Sequence, residues 1–290
     1  MNSLGLKRVK RDSSLIGVDL GGTNVRAGLV KNGKIIALKA RAISSHAERK
    51  TVLEEVCQTI EAVFQPGVRG IGIGVPSMVD VKKGIVYSVA NIPSWHRVPL
   101  KKILERRFGV PAFVNNDAKC FALGELHFGK GRGHKNLIGL IVGTGLGAGV
   151  VIDGRLFYGG NGGAGEIGHA PYRENEFEHY CSGRFFQREF GMDALEVQRR
   201  AEDGDRRALK MFEAFGDGFA DVIMTLLYAY DPEIIVLGGG VSNAFPYFEN
   251  RMREKLKSFK FQNSLKRLKI VQSKKPHIAV LAAAALCLHG

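Results

Sequence analysis

The chain has 290 residues, with 42 Lys or Arg against 28 Asp or Glu, a formal net charge of +14. Its 45% hydrophobic and 24% charged residues are those of a globular protein, which excludes a disordered chain, and no apolar run reaches the ~18 residues of a membrane helix. The cations are scattered through stretches such as KKILERRFG, RMREKLKSFKF and SLKRLKIVQSKK, without a base-reading motif or aromatic-interleaved stripe. They read as solvated helix surface, and nucleic acid is not the expected partner.

In chain order, MNSLGLKRVKRDSS is basic but has neither an apolar core nor a cleavage site, so residues 1–14 are read as a tail and not as a secretory signal. LIGVDLGGTNVRAGLV and KIIALKARAI predict a three-stranded meander with KNG at its second turn. Val52, Val56, Ile60 and Val63 recur at near-helical spacing and predict a helix over ERKTVLEEVCQTIEAVF. RGIGIGVPSMVD reads as an apolar strand broken by Gly and Pro. LKKILERRFG reads as an amphipathic helix stopped at Gly109, PAFVNND as a short strand, and AKCFALGELHFG as a helix headed by Asp117 as its N-cap.

The opening pattern then returns. NLIGLIVGTGLGAGVVIDGRLF is again strand, Gly/Thr turn, strand, Gly turn, strand. Long helices follow from about Met192 to Tyr230, then the strand EIIVLGGGVS, a helix around YFENRMREKLKSF, the strand LKIVQS and an Ala-rich terminal helix. Two similar starts, near residues 15 and 137, each followed by helices, predict a duplicated α/β fold with a cleft between its halves. The expected division is an N-terminal lobe over 15–118, a C-terminal lobe over 119–275, and a terminal helix over 276–290 packing back on the first lobe. Four scattered cysteines, Cys57, Cys120, Cys181 and Cys287, predict free thiols in a reducing cytoplasm.

A hairpin turn containing Gly21 and Gly22 leaves backbone N–H groups open to phosphate oxygens, and Thr23 and Asn24 add polar side chains. Asp19 beside such a cradle would repel phosphate unless a cation stood between them, which predicts Mg²⁺, held directly or through water. GTGLGAG, with Gly143, Thr144 and Gly145, supplies a second cradle. It resembles a dinucleotide fingerprint, but a strand follows where that fingerprint needs a helix. GELHFGKG has the spacing of a Walker loop yet lies on a helix with Gly131 in place of Ser or Thr, and is rejected. Gly238, Gly239 and Gly240 after an apolar strand could lay a purine against bare backbone; a plain strand-to-helix turn is the competing reading. In VNNDAK, Asn115 and Asn116 can donate to and accept from sugar hydroxyls, and Asp117 can take a proton from a hydroxyl attacking a phosphoryl group. GGAGEIGHAPY places Glu166 and His169 three apart, on one side of a helical turn, and GRFFQREFG supplies Glu189.

The ordered set DLGGTN, NNDA, GTGLGAGVV, GAGEIGH and IIVLGGGVS resembles the ROK family (repressor, open reading frame, kinase) of sugar kinases and sugar-responsive regulators, from about Leu15 to the C-terminus. The resemblance implies the actin-like ATPase, ribonuclease H-like fold, with ATP and sugar meeting between two lobes. By position it implies Asp117 as catalytic base, and Asn91, Asn116, Glu166, His169 and Glu189 as sugar ligands. It further implies Asp19 to Asn24 and Gly143 to Gly145 as phosphate loops, Gly238 to Gly240 as the nucleotide contact, and a homodimer. Many members follow GH with Cys-x-Cys-Gly-x-x-Gly-Cys-x-Glu. The aligned YCSGRFFQRE has Tyr180, Ser182 and Gln187 at the cysteine places and Cys181 offset by one, so no structural zinc is predicted. His169, His179 and Cys181 are the weaker alternative set.

The expected activity is therefore ATP-dependent phosphorylation of a hexose, glucose to glucose 6-phosphate first, with N-acetylhexosamines, mannose, fructose and allose as other acceptors. A sugar-sensing DNA-binding regulator is the rival class, disfavoured because few residues precede the first strand. A polyphosphate-dependent kinase is compatible with the positive charge but is argued for by no particular residue.

Overall fold

The computed structural model of the chain describes residues 13–289, and they divide into two units. The first contains the described residues up to Arg132, together with Tyr158–Gly163 and those from Lys275 onward; the second contains Gly133–Phe157 and Ala164–Lys274.

In the first unit, β1 (Ser14–Leu20), β2 (Asn24–Lys31) and β3 (Lys34–Ala42) form the expected meander, with Gly21 N–H donating to Asn24 O at 2.9 Å in the first turn. Helix α1 (Arg49–Glu61) buries Val52, Val56 and Ile60, the stripe its spacing predicts. Then come β4 (Val68–Val75), β5 (Val79–Asp80), β6 (Ile85–Val89), β7 (Ile92–Val98) and α2 (Leu100–Phe108), which ends on Gly109 at φ 68° as a left-handed cap. Strand β8 (Ala112–Asn116) and helix α3 (Asp117–Phe128) follow. The main sheet has the order β3-β2-β1-β4-β8, with β1, β4 and β8 parallel. The stretch β5–β7 makes a separate antiparallel sheet, which the interrupted apolar pattern there did not reveal.

The cap of α3 differs from expectation. Asn116, with extended backbone at ψ 145°, is the N-cap; its Oδ1 accepts from Ala118 N at 3.0 Å and Lys119 N at 3.2 Å. Asp117 is the first helical residue. Three adjacent side chains in NND can all cap, and the choice falls on the last one that keeps extended backbone.

The second unit repeats the topology. Strands β9 (Leu137–Val142), β10 (Leu146–Ile152) and β11 (Arg155–Phe157) form its meander. After β12 (Pro171–Tyr172) and β13 (Asn175–Glu176) come α4 (Phe177–Cys181), α5 (Arg184–Phe190), α6 (Ala194–Glu202) and the 25-residue α7 (Arg206–Tyr230). Strand β14 (Ile234–Gly238), helices α8 (Phe245–Leu256) and α9 (Gln262–Arg267), and strand β15 (Lys269–Gln272) complete it. The sheet order β11-β10-β9-β14-β15, with β9, β14 and β15 parallel, matches the first sheet strand for strand. Phe186, Phe212, Phe215, Phe219 and Phe248 pack ring on ring in its core, with Phe186 and Phe215 stacked at 5.2 Å.

The last helix, α10 (Ile278–Ala285), belongs to the first unit and lies on a bed of glycines. A Cβ on Gly17 would sit 1.9 Å from Val280 O, one on Gly72 1.8 Å from Ala283 O, and one on Gly124 2.5 Å from Ala282 Cβ. The Ala run of α10 and the glycines opposite it are two halves of one contact. Because α3 takes part through Gly124, the first unit runs on to Arg132.

Candidate functional site

The main sheet of the first unit places two carboxylates on one edge. Asp19 near the end of β1 is level with Gly74 of β4, and Gly74 with Asn115 of β8; Asp117 follows two residues later. With one strand between them, the two backbones are roughly 10 Å apart. This is the carboxyl end of parallel strands, where open α/β sheets bind ligands. Gly74 lets α3 approach closely, since a Cβ there would lie 3.3 Å from Cys120 Sγ and 3.7 Å from Asp117 Cα. Asp117 Oδ1 accepts from Ala118 N at 2.8 Å and from Asn116 Nδ2 at 3.0 Å. Asn116 thus spends its oxygen on the helix cap and its amide on Asp117, which makes it a positioner of that carboxylate.

Burial raises the pKa of Asp19 above the carboxylate range, opposed by Arg26, whose Nη1 stands 3.4 Å away. The Cys120 thiol is likewise pushed up, first by burial and then by the charges of Asp117 and Asp19. A desolvated carboxylate paired with a single, partly exposed guanidinium, in a region of negative potential, suits a divalent cation of the kind that takes one or two carboxylates together with phosphate oxygens. The adjoining turn is ordered: Ile43 N donates to Thr23 O at 2.9 Å, and Asn24 Nδ2 to Thr23 Oγ1 at 2.9 Å. Gly22 is where Asn91 packs, since a Cβ on Gly22 would fall 2.5 Å from Asn91 Nδ2. Asp19, Gly21 to Asn24, Asn91, Asn116 and Asp117 therefore all belong to the first unit.

In the second unit the two remaining Gly turns meet. Gly143, Thr144 and Gly240 line one cavity of about 610 Å³, along with Arg184, Val241 and Asn243. That volume is within the range of small-molecule sites. Gly239, at φ 85°, runs against Val142, whose oxygen would be 2.4 Å from an added Cβ. Ser242 N and Oγ both donate to Gly239 O, at 3.2 and 2.7 Å, and so fix the turn after Gly238. The Gly143–Gly145 turn is pinned by Gly183 N–H to Gly143 O at 2.7 Å and by Leu146 N–H to Glu178 Oε2 at 3.0 Å.

Glu166 and His169 share a single 3-10 turn, with His169 N donating to Glu166 O at 3.2 Å. His169 Nδ1 lies 3.0 Å from Glu176 Oε2, and that hydrogen bond is the main cause of its raised pKa, with Glu178 and Glu166 adding Coulombic support. Glu178 was not singled out in the sequence. It sits on α4, its carboxylate touching the Gly143–Gly145 turn and lying 3.6 Å from Arg184 Nη1. Glu189, by contrast, is exposed on α5 and is not among the charges that act on His169. The expectation at 189 came from counting along a cysteine-rich loop that this chain lacks. The short β12–β13 hairpin and α4 bring a different glutamate to the turn. Its only sequence signal was that it falls one turn after Glu174 in a run of acids, RENEFEH.

Cys181 is fully buried in the core, and a Cβ on Gly218 would stand 3.2 Å from its Sγ. It faces α7, away from any shared site with His169. No group of three or more His, Cys, Asp or Glu able to hold a metal ion occurs among the described residues. Phe185 and Phe186 pack in the aromatic core against Phe215, at 5.7 and 5.2 Å.

The ROK family model matches residues 15–289, nearly the whole chain. The chain belongs to the ROK family. Among ROK and related proteins, a glucokinase from Thermotoga maritima is 34% identical over 274 residues, covering 83% of this chain and 86% of its own. An N-acetyl-D-glucosamine kinase from Salmonella newport is 31% identical, with 83% and 88% covered. A ROK family glucokinase from Streptomyces griseus, solved in complex with glucose and AMPPNP, superposes with a TM-score of 0.81 at 27% identity, covering 96% of this chain and 100% of that one. The matched sheet orders above are thus those of the ROK kinase fold, the actin-like ATPase architecture expected from the motifs.

Proposed function

We propose that this ROK protein is a sugar kinase that transfers the γ-phosphoryl group of ATP to a hexose hydroxyl, with glucose and its 6-hydroxyl as the leading acceptor. The observation that carries the chemistry is the pair Asp19 and Asp117 at the carboxyl ends of the parallel strands β1 and β8, with β4 between them, one desolvated and the other oriented by two hydrogen bonds. In this reading Asp117 accepts the proton of the attacking hydroxyl, and Asn116 holds its carboxylate in line. Asp19 and the Gly21–Asn24 turn receive the phosphate end of the nucleotide. Mg²⁺, held near Asp19, supplies positive charge against the phosphoryl oxygens.

The cavity of the second unit takes the nucleoside, its glycines admitting a flat base and the Gly143–Gly145 turn offering backbone to phosphate. Asn91, Glu166, His169 and Glu178 are assigned to the sugar hydroxyls. Glu178 replaces Glu189 here because it shares the turn and the electrostatics of His169. The Glu176 carboxylate holds the His169 ring and so sets which ring nitrogen faces the substrate. We further read the protein as a cytoplasmic homodimer. Among the described residues no helix is long and apolar enough to cross a membrane.

The test is ADP release with ATP, Mg²⁺ and a panel of sugars, repeated with Asp117→Asn. A general base contributes about 10²–10⁴-fold, so turnover should fall by that factor while calorimetric glucose affinity stays within about threefold. Turnover close to wild type in the variant would refute the assignment.

A further inference from the structure

The side chain of His169 is exposed, and its ring is held by Glu176 from the far strand of the β12–β13 hairpin. Where the imidazole stands is therefore set by where the hairpin stands. The hairpin is short: Pro171 pairs with Glu176 and Tyr172 with Asn175, and Phe177 N–H donates to Ala170 O at 3.1 Å just behind them. A ribbon of two residues a side has little stability of its own, so contacts with other elements must fix it.

Those contacts gather on Tyr172. Its hydroxyl donates to Asp221 Oδ2 on α7. Lys255 Nζ on α8 donates to the same oxygen at 2.6 Å and to Asp217 O at 3.0 Å. Asp221 and Lys255 are both largely shielded from solvent, where a charge-assisted hydrogen bond is stronger than at an open surface. Burial and then the bond to Asp221 push the Tyr172 phenol well above its usual range, so the hydroxyl stays a donor. The Tyr172 ring stacks on Phe177 at 4.4 Å and meets Tyr180 edge-on at 5.5 Å. At the hairpin turn Arg173 has φ 54°, a strained backbone for a residue other than glycine, and its guanidinium lies 5.0 and 5.2 Å from the Tyr172 and Tyr180 ring centroids. Helix α4 is seated separately by the buried Phe177 and Cys181, so Glu178 and the Gly143–Gly145 turn do not depend on the Tyr172 hydroxyl.

We propose that Tyr172, Asp221 and Lys255 form a clamp that ties the β12–β13 hairpin to α7 and α8 and so positions His169 for the sugar, a role that rests on the sugar-kinase reading above. The connection runs from Lys255 through Asp221 to Tyr172, and across the hairpin from Glu176 to the imidazole. None of the three clamp residues touches the substrate; they act through His169.

Tyr172→Phe removes the hydroxyl and keeps the ring stack. With the sugar of highest turnover in the panel above, it should raise KM for the sugar at least about fivefold, on the scale of a hydrogen bond to a charged group. KM for ATP and kcat should stay within about twofold, since α4 and Asp117 are untouched. A merely structural loss would lower the active fraction, and with it kcat, without moving KM for the sugar. Tyr180→Phe, at a hydroxyl with no hydrogen-bond partner among the described residues, should change neither constant. Asp221→Asn keeps an oxygen for Tyr172 and should raise KM for the sugar less than Asp221→Ala. Hydrogen exchange of the free protein gives a readout that needs no sugar: amides over 167–178 should exchange faster in Tyr172→Phe than in wild type. An unchanged sugar KM in Tyr172→Phe, an equal rise in Tyr180→Phe, a matching rise in KM for ATP, an Asn variant no better than the Ala one, or unchanged exchange would each overturn the clamp. Absence of turnover by wild type on every sugar would instead overturn the kinase reading, and the exchange rates would still show whether the clamp holds the hairpin.

Discussion

Strand β4 reads GIGIG over 70–74, and its three glycines meet three different neighbours, so a series of single alanine substitutions grades the packing of α10 and α3. In Gly72→Ala the new Cβ would start 1.8 Å from Ala283 O and 2.7 Å from its carbonyl carbon. Ordinary contact needs about 3.4 Å, so the helix backbone must retreat by roughly 1.6 Å, and no rotamer can relieve it. Overpacking against rigid backbone costs about 3 kcal/mol, the top of the usual range. In Gly70→Ala the nearest atom is Cys287 Sγ at 3.2 Å, a side chain that can yield by tenths of an ångström. Its cost should be under about 1 kcal/mol, partly offset by the lower entropy of the unfolded chain. At about 2–4 °C per kcal/mol for a chain of this size, Gly72→Ala should lower Tm by roughly 6–12 °C and Gly70→Ala by less than about 4 °C. Gly74→Ala should change Tm little but lower turnover, because its Cβ presses on Cys120 Sγ at 3.3 Å beside Asp117. Differential scanning fluorimetry and the coupled kinase assay read both. Equal Tm values for Gly70→Ala and Gly72→Ala would refute the claim that α10 rests on bare backbone.

Glu178→Gln should raise KM for the sugar by about tenfold or more, the worth of a hydrogen bond to a charged group, whereas Glu189→Gln should leave it within about twofold; the reverse ranking would return the role to α5. His169 should titrate above the ordinary imidazole range in a resolved NMR titration and move back towards it in Glu176→Gln. Its folded pKa is raised, so the small stability it confers is present below the unfolded value near 6.5 and is lost as pH climbs through the folded value. Its side chain is 64% exposed, so solvent screening keeps that contribution slight. An identical titration in wild type and variant would remove Glu176 as the cause. All four cysteines are buried and their thiols pushed up by burial, Cys57 to about 11, so the native protein should react with a thiol reagent only on unfolding. Rapid labelling of any one would contradict that.

Much of the fold was legible because periodicity and punctuation agree locally. The α1 stripe, the stop at Gly109 and the two Gly/Thr hairpins are each settled within about fifteen residues by side-chain spacing and backbone freedom. The β5–β7 sheet was not legible: a two-residue strand and a Pro-containing one carry too few alternations to register. Among candidate site residues, Asp19 and Asp117 stood out because a carboxylate beside Gly/Thr or Asn-Asn at a strand end is chemically unusual. Glu178 did not, since an acid within RENEFEH resembles a solvated face until the hairpin before it turns α4 inward.

The chain sequence alone determined the duplicated strand–turn–strand plan, the glycine-bearing turns and the carboxylates at the strand ends, because these depend on residue type at short range. Tertiary structure alone decided which of three adjacent polar residues caps α3, which glutamate supports His169, and which glycines the terminal helix rests on. Those outcomes depend on groups far apart in the chain competing for the same space and the same hydrogen-bond partners, and that competition is resolved only when the chain is packed.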